Sequence, residues 1–253
     1  MKSTPTLKQL AGVVVSAVTL LGAAPAMADT ISFEAHGPDI FAGGDTFAEA
    51  GYTMQVLDTV AGNGGGFAGA IANGADPTTC TVAACPVGNN SMYYLGLNDG
   101  GLNIHRTDAS AFSLHGLDYA FLAPIGGLHN FSYGQLMLTG TAVGGGTVRA
   151  TFDFPLQNGA GNYVFGGAPL NAAFGQTKLS GLNISACMFD NSGNCYNPAD
   201  NQAQFAIDNL NVSAVPEPSA YAMLMLGLGG VAFAARRRAR QAGQSAPTLP
   251  AQA

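Results

Sequence analysis

Four cysteines, four histidines and a small set of acids are the residues of this 253-residue chain whose types could do chemistry. The cysteines fall in two close pairs, Cys80 with Cys85 and Cys187 with Cys195. Neither pair has the CxxC spacing of a zinc site and no histidine stands beside either, so metal ligation by cysteine is set aside. Local pairing closes the shortest loops at the least entropic cost, which predicts disulfides Cys80–Cys85 and Cys187–Cys195 in an oxidising compartment. The histidines, His36, His105, His115 and His129, are scattered singly, outside any HExxH frame, and no GxSxG turn presents a serine nucleophile. Only two glutamates, Glu34 and Glu49, lie between residues 29 and 215. A glycosidase-type carboxylate pair is set by the fold and not by spacing, so the sequence leaves that route open. No catalytic residue is assigned, and the chain reads as a non-enzyme.

Calcium needs clustered oxygen ligands. Asp190, Ser192 and Asn194 alternate in the second cysteine loop, but the EF-hand pattern fails: Gly193 comes too early, Cys195 stands where glycine is required and Asn201 where the bidentate glutamate should be. Asn98-Asp99-Gly100-Gly101 reads as a hairpin turn. The calcium candidates are therefore Asp190, Asp208 and Asn209, with no other cofactor expected. Sugar binding would need an aromatic platform, and Tyr93, Tyr94, Tyr119, Phe131 and Tyr133 supply rings. A chain with no tryptophan needs most of them in its core. One of the adjacent Tyr93 and Tyr94 must face away from the other in a strand, free for solvent or a sugar.

The elements that would position these residues read as β throughout. Thr147 to Leu156 alternates, with Val148, Ala150, Phe152 and Phe154 on one face and Thr147, Arg149, Thr151 and Asp153 on the other. Phe112 and Leu114 share one parity while Leu117, Tyr119 and Phe121 share the other, which predicts a bulge at Gly116. The same slip separates Phe205 and Ile207 from Leu210 and Val212, with a bulge or bend expected at Asp208-Asn209. Further strands are expected at Thr30 to Glu34, Tyr52 to Val56, Ser91 to Leu95, Leu102 to His105, Gly134 to Val143 and Leu179 to Met188. Gly62 to Gly88, rich in turn residues and holding the first cysteine pair, is expected as one long stapled loop. About ten short strands without a 20- to 30-residue repeat point to an all-β fold, an antiparallel β-sandwich of jelly-roll type.

The two ends carry the address. Lys2 and Lys8 precede an apolar run from Leu10 to Ala24, and Ala26-Met27-Ala28 supplies a small-x-small step, so residues 1–28 read as a signal peptide with Asp29 starting the mature domain, 29–213. Near the other end Pro216-Glu217-Pro218 is followed by an uncharged stretch, Ser219 to Ala235, and by Arg236, Arg237, Arg238 and Arg240. The stretch is short for a spanning helix, but the basic cluster behind it acts as a cytoplasmic stop. Residues 214–240 resemble the PEP-CTERM sorting signal, since the tripeptide, the hydrophobic helix and the arginines recur in that order. Residues 241–253 carry no charge and read as a disordered tail.

The resemblance implies a transient transmembrane helix at the inner membrane, recognised by an exosortase that cuts near the tripeptide. It implies export in a Gram-negative, exopolysaccharide-making bacterium and release to, or attachment at, the cell surface or extracellular matrix. Gln204, Phe205 and Asp208 match a QFxxD signature, and with Ile31 to Glu34 and Gly51-Tyr52 they resemble a subgroup of PEP-CTERM proteins named for it. That subgroup implies no chemistry. Between the two ends only Arg106, Arg149 and Lys178 oppose fourteen acids, so the domain repels nucleic acid and anionic lipid. A non-catalytic surface or matrix protein associated with exopolysaccharide is the first reading. A lectin-like carbohydrate-binding module comes second and a secreted hydrolase third.

Overall fold

Short apolar runs punctuated by glycine, asparagine and aspartate cannot sustain a helix, and here they become strands. The computed structural model describes residues 28–58, 67–81, 83–196, 202–215 and 218–244, with helical side chains at the C-terminal end described over 225–238. In chain order the strands are β1 (Ala28–Ile31), β2 (Asp39–Ala42), β3 (Thr46–Glu49), β4 (Tyr52–Leu57), β5 (Phe67–Asn73), β6 (Met92–Gly96), β7 (Gly101–Arg106), β8 (Phe112–Phe121), β9 (Gly134–Ala142), β10 (Thr147–Asp153), β11 (Gly166–Pro169), β12 (Leu179–Phe189), β13 (Cys195–Tyr196) and β14 (Phe205–Ala214). A one-turn helix, Ala172–Gly175, capped by the Asn171 side chain, and a helix over Pro218–Gln244 accompany them.

The strands pair antiparallel in one sheet that curls onto itself as a sandwich approaching a half-barrel. One layer runs β2-β5-β6-β14-β8, with β11 on β8 and β1 on the far half of β14. The other runs β3-β4-β7-β12, with β9 and then β10 beside β12. The layers join where Leu179 of β12 pairs with Phe112 of β8. Their inner faces form the main core, in which Tyr52, Met54, Ile104 and Ile184 meet Phe112, Phe121, Phe205 and Val212. The antiparallel sandwich expected from the sequence is what the chain forms, and Met27–Val215 is one compact unit.

The parity slips are real bulges, and they compensate. Asp208 lies opposite Asp118, Asn211 opposite Gly116 and Val212 opposite Leu114, so β14 carries an extra residue first and β8 a second one after it. The slips cancel, and Phe112, Leu114, Leu117, Tyr119 and Phe121 all reach the core, as do Phe205, Ile207, Leu210 and Val212. Asn209 takes the left-handed conformation, φ 50°, that a bulge demands and that asparagine tolerates better than most residues.

Three expectations are corrected. Within Gly62 to Gly88, Phe67–Asn73 is strand β5; its small apolar residues do not alternate because both of its faces are buried. Residues 62–66 and 82 lie outside the described set. Asn98 and Asp99 do make a tight turn, at φ 53° and 60°, but it is not a hairpin. It carries the chain from β6 in one layer to β7 in the other, and Asp99 is buried there, accepting a 2.7 Å hydrogen bond from the Ala203 N–H. Tyr93, one of the two adjacent rings, does point away from the core but meets no solvent. A second apolar cluster on the outer face of β5, β6, β8 and β14 buries it to 2% exposure, with Phe165 at 5.3 Å and the Cys80–Cys85 segment over it. Both disulfides form as expected, Cys187–Cys195 across the β12–β13 hairpin. The C-terminal helix runs on to Gln244. Residues 245–253 lie outside the described set, as does the expected signal peptide up to Met27; Ala28 already opens β1.

Candidate functional site

The double bulge brings polar groups to the outer face of the first layer. Asp208, fully buried, is held from three sides: Asn89 Nδ2 donates to Oδ2 at 2.7 Å, Ser91 Oγ donates to the same oxygen at 2.8 Å, and the Asn209 backbone N–H donates to Oδ1 at 2.7 Å. The carboxylate thereby clamps the segment before β6 onto β14. Burial pushes its pKa up, the Asn89 and Ser91 hydrogen bonds oppose the shift, and the neighbouring Asp118 charge adds to it.

A carboxyl whose folded pKa lies above its unfolded value stabilises most fully below the unfolded pKa, and that contribution is lost as pH rises through the folded value. Asp208→Asn keeps the shape and removes the charge. Wild type should therefore gain on this variant as pH falls from 7 towards about 4, read as the difference in urea midpoints. A wild-type midpoint that falls relative to the variant's over the same interval contradicts the assignment.

Next to the sealed Asp208 the surface opens. A groove of about 450 Å³ runs over the bulge, walled by Gly116, Gly167, Ala168 and Pro169 and carrying His115, Asp118 and Asn209. Asn209 Nδ2 donates to Asp118 Oδ2 at 2.9 Å, and His115 Nε2 lies 2.8 Å from Ser213 Oγ. His115 and Asn209 are exposed and Asp118 half-buried. Asp118 was not singled out from the sequence, although its position two residues beyond the Gly116 slip was the available signal. Bulges re-aim side chains, and residues flanking one are candidates for that reason.

The other candidates are spread apart. Asp190 caps the turn between β12 and β13, its Oδ1 accepting from the Ser192 and Asn194 N–H groups at 2.8 Å each. Those donors, the Asn194 N–H foremost, hold its carboxyl below the usual range. Asp208 likewise spends both oxygens on N–H and O–H donors, and among the described residues no group of three or more His, Cys, Asp or Glu side chains could hold a metal ion. The two glutamates are engaged separately: Glu34 Oε1 accepts from the Met92 N–H at 2.7 Å, Glu49 Oε1 from the Ser32 N–H at 3.0 Å. Of the aromatic candidates Tyr94 and Tyr119 are buried with Tyr93, while Phe131 is 58% exposed, edge-on to the half-buried Tyr133 at 5.4 Å. Phe205 is buried in β14 and Gln204 is buried immediately before it, and Phe205 covers the backbone of Gly96. The QFxxD residues are thus interior and hold β14 in place.

Beyond Val215 the helix Pro218–Gln244 carries its apolar side chains outward, with Met225, Leu226, Val231 and Phe233 between 65% and 71% exposed, and Arg236, Arg237 and Arg238 after them. Pro216 and Glu217 and the side chains of Pro218 and Arg240 lie outside the described set. Among the described residues no helix is long and apolar enough to cross a membrane. The expected span over Ser219 to Ala235 falls partly on side chains outside them.

An all-β sandwich unit is followed by the C-terminal helix Pro218–Gln244. The chain carries a match to the family described as PEP-CTERM protein-sorting motif, over residues 214–238. No curated protein matches the chain. Among solved structures it is similar to TmCBM61 in complex with β-1,4-galactotriose, at 8% identity over 64% of this chain and 88% of that one. At a TM-score of 0.32 that likeness carries no argument.

Proposed function

We propose that the chain is a non-catalytic exported protein of the cell surface or extracellular matrix, held at the inner membrane as a precursor, sorted by an exosortase and associated with exopolysaccharide. The sorting motif over residues 214–238 carries this reading. The exposed apolar side chains Met225, Leu226, Val231 and Phe233 of the C-terminal helix support it, because such a patch calls for an apolar surrounding. The interior placement of Gln204, Phe205 and Asp208 supports membership of the QFxxD subgroup as a structural trait and not a catalytic one. In producing cells that lack the exosortase, the precursor should accumulate in the inner-membrane fraction with its C-terminal segment intact. An unchanged distribution between fractions would sink the reading. A second, lectin-like reading is favoured by the open groove over the bulge, which carries His115, Asp118 and Asn209, and by the exposed Phe131 ring.

A further inference from the structure

The outer face of the first layer treats two opposed carboxylates differently. Asp208 and Asp118 face each other across β14 and β8, yet Asp208 is closed off by Asn89 and Ser91 while Asp118 opens on the groove. The walls there are nearly free of side chains. Gly167 lies opposite Asp118 on β11, and even an added Cβ at that glycine would come no closer than 3.8 Å to Asp118 Oδ1. Among the described residues no protein donor reaches Asp118 Oδ1. The Asn209 amide spends one N–H on Asp118 Oδ2, which leaves its other N–H and its oxygen, and His115 Nδ1 is likewise unspent.

We propose that Asp118, Asn209 and His115 form a metal-independent site for a hydroxyl-bearing ring of a neutral glycan. The chemistry selects that class. A hydroxyl can donate to Asp118 Oδ1 while a neighbouring hydroxyl accepts from the Asn209 amide, so adjacent hydroxyls on one ring satisfy both groups. An anionic ligand would meet the Asp118 charge on a domain in which acids far outnumber bases. A calcium ion would need six to eight oxygens, and the only other carboxylate at hand, Asp208, already accepts three hydrogen bonds. The groove is shallow and open, so a sugar ring can lie over Asp118 and Asn209 without entering the core. Asn209, left-handed at the bulge, has its amide on Asp118.

This site deepens the lectin-like reading and rests on it. The test is an array of immobilised neutral gluco-, galacto- and manno-oligosaccharides probed with the purified full chain, followed by calorimetry with the oligosaccharide retained best. Asp118→Ala and Asn209→Gly should each weaken binding at least tenfold. Glycine accepts the φ of 50° without strain, so the second variant keeps its thermal midpoint and separates lost contacts from lost folding. Binding should be unchanged by EDTA. Saturable binding that both variants retain would overturn the site while leaving the lectin-like reading standing. Retention of no neutral glycan would overturn both, and binding that EDTA abolishes or that only anionic glycans support would replace the site with one of different chemistry.

Discussion

Phe205→Ala should lower the unfolding free energy by about 3–5 kcal/mol, because the ring is fully buried where the two layers meet and its loss leaves a cavity. The ring lies directly over Gly96 of β6, where an added Cβ would fall 2.2 Å from the ring edge. Gly96→Ala alone should therefore cost about 1–3 kcal/mol through overpacking. In the Phe205→Ala background the same methyl enters space already vacated, and its cost should fall towards zero. Urea unfolding of the four proteins of this cycle measures the coupling, expected at about 1–3 kcal/mol. Additive losses would mean that Gly96 and Phe205 do not share one packing site.

The second large effect lies outside the sandwich. Replacing Arg236, Arg237, Arg238 and Arg240 together by alanine removes the charged stop behind an apolar helix, and each such charge resists the bilayer interior by about 2.5–3.5 kcal/mol. The processed fraction in pulse-chase labelling should fall at least tenfold. Lysine at all four positions preserves the charge and should restore processing to within a factor of two. Processing of the alanine variant at the wild-type rate would show that the basic cluster plays no part in retention.

Much of the fold could be read from parity. The run Phe112 to Phe121 matches β8 residue for residue, and both slips, at Gly116 and at Asp208-Asn209, are bulges. Parity fails where a strand is buried on both faces. β5 has no alternation to detect, and Tyr93 faces outward only to be covered by a loop that sequence spacing cannot place. The short edge strands β2, β3 and β11 gave no signal of their own, since four residues at an edge need little apolar patterning. The site was legible only in part. Asp208-Asn209 stood out beside its parity slip, but the groove needs Asp118 from another strand and Gly167 from a third, and only the pairing of β14, β8 and β11 brings them together.

The disulfides were legible because chain entropy favours local closure, and the structure bears this out at Cα separations of 6.2 and 5.6 Å. Asp208 shows the limit of composition as a guide. A conspicuous acid beside an asparagine suggests a cation ligand, and the sequence gives no sign of the Asn89 and Ser91 donors that meet it in the fold.

The central claim is that the chain is an exported precursor trimmed at both ends. Intact-mass measurement of the protein recovered from producing cells tests it most directly. The expected species begins at Asp29 and ends near Pro216, with or without an added moiety that would identify the anchor. A mass that extends to Ala253 would contradict it.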